Sequence, residues 1–211
     1  MIIAVDGPAA SGKGTVSRKI ADLYGFSYLD TGLLYRAVAR DVAAAGASLE
    51  AESDALKAAQ SLDFSSLDDD SLRITGVGEA ASIVARYPSV RATLLDLQLQ
   101  FSRKPPGAVL DGRDIGTVVC PNADAKLYVT ADPEIRAERR FLELSNLGES
   151  VTREGVLEMI LQRDARDTER ADSPMRPAAD AMLLDTTKLD IMQSFDAAVE
   201  LIKRKIGLPG T

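Results

Sequence analysis

Nine residues near the start of the chain, Gly7-Pro8-Ala9-Ala10-Ser11-Gly12-Lys13-Gly14-Thr15, have the types and spacing needed to hold phosphate. Glycines let backbone N–H groups turn inward on an anion, and a helix that follows adds the positive end of its dipole. Lys13 is then placed to bridge the outer phosphates of a nucleoside triphosphate. The general motif has Ser or Thr directly after the lysine; here Gly14 stands there and Thr15 follows. That leaves open whether Thr15 makes a direct Mg²⁺ contact. A second anion site is written in arginine. Arg163, Asp167 and Arg170 recur at i, i+4 and i+7, one helical face, with Arg166 close to it. Arg36 and Arg113 follow short apolar runs, so they leave strand ends on the phosphate-loop side. Guanidinium groups facing a phosphate loop suit phosphoryl transfer to an anionic acceptor. A phosphate oxygen is already ionised near neutral pH, so no base must remove a proton, and alignment and cation clamps carry the catalysis. The competing reading of 163–170 is a solvated helix with i,i+4 ion pairs.

Composition agrees with that chemistry. Arg outnumbers Lys 17 to 8, and 131–177 contains eight Arg and no Lys; arginine is the better bidentate grip on phosphate. There is no His, which excludes every histidine base, nucleophile or metal ligand. The single Cys120 excludes intramolecular disulfides and Cys-rich metal sites, and its apolar surroundings predict a buried, inert thiol. A net charge of −7 argues against a general binder of nucleic acid or anionic membrane. No apolar run approaches about 18 residues, and Met1 to Asp6 is too short and acidic for a signal peptide. The expectation is a cytoplasmic protein without a membrane or nucleic-acid partner. At about 150 residues per domain, 211 residues make one domain, with room for an insertion.

The elements that must position these residues can be read from periodicity. Ile2 to Val5, Phe26 to Leu29, Ala108 to Leu110, Ala125 to Val129 and Ala181 to Leu184 are short apolar runs, read as buried strands. Helical spacing covers Lys13 to Tyr24, Thr31 to Gly46, Ser82 to Ser102 with a break at Pro88, Pro133 to Leu144, Thr152 past Arg163, and Leu189 to Ile206. Residues 47–80 are rich in Ser, Asp, Glu and Ala; they read as helix and loop, with only Leu72 to Thr75 alternating like a strand. Strands alternating with helices predict parallel βαβ units, hence an α/β doubly wound five-stranded parallel sheet.

Four stretches together resemble the bacterial cytidylate kinases, nucleoside-monophosphate kinases of the P-loop NTPase class. They are Gly7 to Thr15, Asp30-Thr31-Gly32-Leu33-Leu34-Tyr35-Arg36, Asp111-Gly112-Arg113-Asp114-Ile115-Gly116-Thr117, and Arg163-Asp164-Ala165-Arg166-Asp167-Thr168-Glu169-Arg170. The resemblance runs from the first strand to the last helix. It implies one kinase domain over 1–211: a core of 1–46, 103–144 and 171–211, an NMP-binding insertion at about 47–102, and a small lid at about 145–170. It implies transfer of phosphate from ATP to CMP or dCMP with Mg²⁺, by a monomer acting on small nucleotides. Longer relatives carry an extended insertion where Asp68 to Thr75 stands here.

The resemblance also distributes roles. Arg36, Arg113 and Arg170 would hold the acceptor phosphate. Arg163 and Asp167 would lie at the acceptor ribose, with Arg163 near the transferring group. Ser82, Arg91 and Asp114 would read the base, with Thr31 and Tyr35 lining the same pocket. Lys13, Arg113, Arg163 and Arg170 form the catalytic set. Asp111, ending an apolar strand, is the candidate to organise Mg²⁺ through water; a turn or helix cap is its other reading. Arg136 and Arg140 are candidates to lie along ATP, and surface pairing with Glu143 is the alternative for them. Among other functions, a P-loop kinase for UMP or AMP lacks a need for the Asp114–Arg91 pair. A GTPase-type switch has Thr187-Lys188-Leu189-Asp190 in its favour, but its only Asp-x-x-Gly, Asp22 to Gly25, falls inside the first predicted helix.

Overall fold

The computed structural model describes residues 1–63, 67, 72 and 76–207. Five strands, β1 (Ile2–Asp6), β2 (Ser27–Asp30), β3 (Ala108–Gly112), β4 (Ala125–Thr130) and β5 (Met182–Asp185), form one parallel sheet in the order β2-β3-β1-β4-β5. Alternation along the strands fills two cores. Ile3, Val5, Val109, Leu127 and Val129 face α1 (Lys13–Tyr24) and α8 (Ile191–Ile206). Ala4, Leu29 and Leu110 face the opposite way, against α2 (Thr31–Ala44) and α5 (Pro88–Ser102). Because both faces are covered, the central strands read as continuous apolar runs.

The helix ends follow local chemistry. Gly25, at φ 64°, ends α1. The Asp30 carboxylate accepts from Gly32 N at 2.9 Å and caps α2. The 47–102 stretch contains α3 (Glu52–Gln60), α4 (Val77–Val84) and α5. Pro88 occupies the first turn of α5, so the predicted break separates two helices. The acidic run Asp68 to Asp70 and most of the strand expected at 72–75 lie outside the described residues. Leu72 itself is buried in the α2 core. Cys120 is buried and burial pushes its thiol up.

Two features were not foreseen. Residues Ile115–Val119 form a π-helical turn. The buried Asp6 carboxylate causes it to fold back, accepting from Ile115 N and Gly116 N at 2.7 Å each. In addition, α6 (Pro133–Asn146) and α7 (Arg153–Glu169) have a small core of their own, Ala137, Leu144, Val156 and Ile160, with Ala10 of the phosphate loop against it. No described helix is long and apolar enough to cross a membrane.

Candidate active site

The phosphate loop leaves the carboxyl end of β1. Gly7 has φ +147°, and a Cβ there would lie 2.0 Å from Val129 O, so only glycine lets the loop depart this close to β4. Ala10 at φ 58° and Gly12 at φ 85° then take left-handed conformations that turn successive amides into one concavity. The loop is braced from behind. Thr186 Oγ1 donates to Ser11 O at 2.9 Å. The buried Arg136 donates to Ala9 O at 3.2 Å, to Ala131 O at 2.9 Å and to Asp164 at 2.6 Å. Its guanidinium thus holds the loop rather than facing the cleft.

Lys13 begins α1, with Nζ 3.4 Å from Pro8 O. Burial pushes its pKa down, and Arg113 adds to that; Asp111 and Asp30 oppose it. Asp111, one residue before the end of β3, pairs in register with Asp30. Its carboxyl is driven up by burial and by Asp30, against Lys13 and a 2.7 Å hydrogen bond donated by Tyr28. Thr31 Oγ1 donates to Asp111 O at 2.7 Å, tying α2 to the same strand end.

Across the loop lies a cleft of about 280 Å³, lined by α2, α4, α7 and the segment after β3. Lys13, Ala9 and Ala10 form one wall; Arg36, Arg113, Arg163 and Arg170 approach from the others. Asp167 organises them. Arg113 Nε donates to its Oδ2 at 2.9 Å, Arg163 Nε lies 3.8 Å from the same atom, and Ser82 donates to Oδ1 at 3.1 Å. Burial alone would raise the Asp167 pKa, but Arg113, Arg163 and Arg170 hold it below the ordinary carboxylate range. One carboxylate does not neutralise this set. Burial, with Arg113 and Arg36 nearby, drives Arg163 down to about 9. Arg163 Nε and Arg170 Nη2 are buried without a hydrogen-bond partner among the described residues. The cleft is therefore a cationic site that an anionic ligand would relieve.

Arg170 reaches it differently from the expectation of one helical face. Helix α7 ends at Glu169, and Arg170 is the extended residue after it, with Nε donating to Ser173 O at 2.9 Å. Arg166 stays out of the cleft lining, 3.6 Å from Glu79 on α4. Arg140 does line the cleft, and also pairs with Glu143 at 2.8 Å. Beside Arg170, Arg91 pairs with Asp114 and with Asp172 at 3.1 Å, and Tyr35 presents its ring 5.9 Å from the Arg91 guanidinium. Thr31, Ser82 and Tyr35 also line the cleft.

Gly12 and Thr15 line another cleft, which shares Ala10 and Glu143 with the first and is bounded by Arg139, Thr186, Leu189 and Asp190. The Thr187 to Asp190 stretch sits there, but the Asp190 carboxylate caps α8 by accepting from Gln193 N at 2.8 Å.

A family model described as cytidylate kinase matches residues 3–204. The cytidylate kinase of Xanthobacter autotrophicus is 56% identical over 205 residues, covering 97% of this chain and 98% of that one. That of Azorhizobium caulinodans is 55% identical over 207 residues, covering 98% and 100%. The chain belongs to the cytidylate kinase family. The fold alone is shared more widely. A crystal structure of an uncharacterized Eubacterium ventriosum protein aligns with a TM-score of 0.57 at 13% identity, covering 96% of this chain and 98% of that one. One of TT1252 from Thermus thermophilus aligns with a TM-score of 0.51 at 19% identity, covering 100% and 98%.

In this cytidylate kinase family member, the cleft also depends on contacts that motif and periodicity do not mark. Tyr28 contacts Asp111, Asp164 holds Arg136, Thr186 braces the loop, and Asp172 meets Arg91. Tyr28, Asp172 and Thr186 lie outside the motif stretches, and Asp164 lies within one; each contact forms only when distant segments meet.

Proposed function

We propose that the protein transfers the γ-phosphoryl group of ATP to CMP or dCMP, giving ADP and CDP or dCDP. The observation that carries this is the arginine cluster facing the phosphate loop across one cleft, in a chain of the cytidylate kinase family. An oxygen of the acceptor phosphate attacks the γ-phosphorus. The bond to the β,γ-bridging oxygen breaks, and its electron pair stays on ADP. Lys13 and the loop amides hold the donor phosphates. Arg36, Arg113 and Arg170 hold the acceptor phosphate, and Arg163 faces the group in flight, where charge spreads over the equatorial oxygens. Asp167 keeps Arg113 and Arg163 aimed and meets the acceptor ribose. Arg91, Asp114 and Ser82 meet the base, beside Tyr35 and Thr31.

The chain fits a Mg²⁺ ion held chiefly by the nucleotide. Among the described residues no group of three or more acidic, Cys or His side chains could cage a metal. Asp111 and Asp30 instead supply hard oxygen donors beside Lys13, as Mg²⁺ with retained waters prefers. The ion would neutralise charge on the phosphates. Asp111 would face its waters; Thr15 lines the neighbouring cleft.

The functional division follows the same proposal: insertion at about 47–102, lid at about 145–170, core elsewhere, in a monomer of the cytoplasm acting on nucleotides. A closed α6–α7 hairpin excludes water that would waste ATP. The test is ADP release from ATP and Mg²⁺ with a panel of nucleoside monophosphates. CMP and dCMP should lead it. GTP hydrolysis without any acceptor, and no CMP-dependent ADP, would overturn the reading.

A further inference from the structure

The position directly after the phosphate-loop lysine carries a hydroxyl in the general motif, where it serves Mg²⁺. Here it is Gly14. A Cβ at Gly14 would lie 3.5 Å from Asp111 Oδ2 and 3.5 Å from Tyr28 Oη. The slot therefore faces the Asp111 carboxylate, one residue before the end of β3, and a hydroxyl from another element borders it. Tyr28 Oη donates to Asp111 Oδ2 at 2.7 Å.

Strand register delivers that hydroxyl. β2 pairs with β3 so that Asp30 meets Asp111, and Tyr28, two residues earlier, shares the same face of the sheet. The Tyr28 ring is also fixed from α1, with the Arg18 guanidinium 4.7 Å from its centroid. A phenol clamped at the ring and at the oxygen can hold a carboxylate in one rotamer. A solvated tyrosine cannot.

We propose that Tyr28 is a positioning residue for the metal–nucleotide: its hydroxyl replaces the one missing from the phosphate loop and fixes Asp111 beside Lys13. This rests on the reading of Asp111 as the carboxylate that faces the metal's waters. Outer partners of this kind change metal affinity or activity by about 10- to 100-fold when removed. The competing role is packing alone, with the phenol hydrogen bond only satisfying a half-buried hydroxyl.

Calorimetric binding of ADP separates the two, with Mg²⁺ present and with EDTA. The proteins are the wild type, Tyr28→Phe, and Tyr28→Phe with Gly14→Ser. Phenylalanine keeps the ring and its packing. The single variant should bind metal-free ADP as the wild type does, but lose about tenfold of the gain that Mg²⁺ confers. The Mg²⁺ concentration for half-maximal turnover should rise with it. Serine at position 14 returns a hydroxyl toward Asp111, and the double variant should recover most of the gain. An unchanged Mg²⁺ gain in Tyr28→Phe, or an equal loss with and without metal, would leave Tyr28 a packing residue and overturn the proposal. A wild type with no Mg²⁺ gain would overturn it too, while CMP-dependent ADP release separately decides whether the kinase reading survives.

Discussion

Arg91 and Asp114 form a buried ion pair in the cleft wall beside Arg170, Nη2 against Oδ2. The other carboxylate oxygen lies 3.9 Å from Arg170 Nη2, and Arg91 Nε donates to Asp172 at 3.1 Å. Asp114 is thus oriented by Arg91 and Arg170. Its sequence neighbour Arg113 turns away to Asp167. Burial pushes the Asp114 pKa up while Arg91 opposes it, so the carboxylate depends on its cationic partners.

That pairing sharpens the expectation for base selectivity. An ionised carboxylate only accepts, and an arginine only donates. Together they match cytosine, whose C4 amino group donates and whose N3 and O2 accept. Uracil has an oxygen at C4 and a donor at N3, and leaving a buried acceptor unpaired costs about 1–3 kcal/mol. CMP and dCMP should therefore exceed UMP by about ten- to a hundredfold in kcat/KM. Asp114→Asn offers either amide edge and should narrow that gap mainly by losing CMP turnover. If it lowers CMP and UMP turnover by one common factor, Asp114 only supports Arg91.

Burial, with Arg113 adding to it, drives the Arg163 pKa down to about 9, and its buried Nε makes no hydrogen bond among the described residues. A group in that state gains most when negative charge spreads onto oxygens in front of it. Arg163→Ala should lower kcat by about 10²-fold or more. Single-turnover kinetics would check it. A normal kcat with a raised KM would make Arg163 a binding residue only.

The sequence showed what is local. Glycines, a lysine and the apolar faces of adjoining helices locate the phosphate loop, and α1 runs from Lys13 to Tyr24 as its periodicity predicts. What it hid depends on partners far along the chain. Tyr28 and Asp111 are 83 residues apart, and Tyr28 lies just outside the Asp30 to Arg36 stretch that follows it. The π-helical turn at 115–119 has no signature of its own, because its first amides are held by Asp6 from another strand. Arg136 has the spacing of a ligand-facing arginine, yet its acceptors are Ala9 O, Ala131 O and Asp164. Arg170 kept the helical spacing although the helix stops one residue earlier. Periodicity gives a face; it does not give a helix end that tertiary contacts decide.

The α6–α7 hairpin carries Arg140 and Arg163 on its cleft side and touches α4 through Arg166 and Glu79. Its connection contains Gly148 at φ +80° and ends at Thr152, which caps α7 by accepting from Gly155 N at 3.1 Å. If residues 145–152 move with a lid, amide exchange there should slow when a bisubstrate analogue binds. Exchange mass spectrometry with and without the analogue measures this. Equal exchange in both states would remove the segment from closure.

Asp6 sets a pH dependence of stability whose sign can be worked out. Burial raises its pKa from 3.8 to about 6, although the Gly116 and Ile115 amides both donate to it and pull the other way. The folded state then binds the proton more tightly than the unfolded chain. The stability from this group is full below the unfolded pKa and is lost as pH rises through about 6. A shift of about two units corresponds to about 3 kcal/mol. Asp6→Asn does not titrate, and its single amide oxygen can serve only one of the two amides. The wild type should therefore lose about 3 kcal/mol relative to Asp6→Asn between about pH 4 and pH 7, with a constant difference above that. Urea unfolding of both proteins across this range measures the difference directly. A constant difference throughout would mean that the two amides fully offset the cost of burying the carboxylate. In that case the turn at 115–119 would be held equally well at every pH.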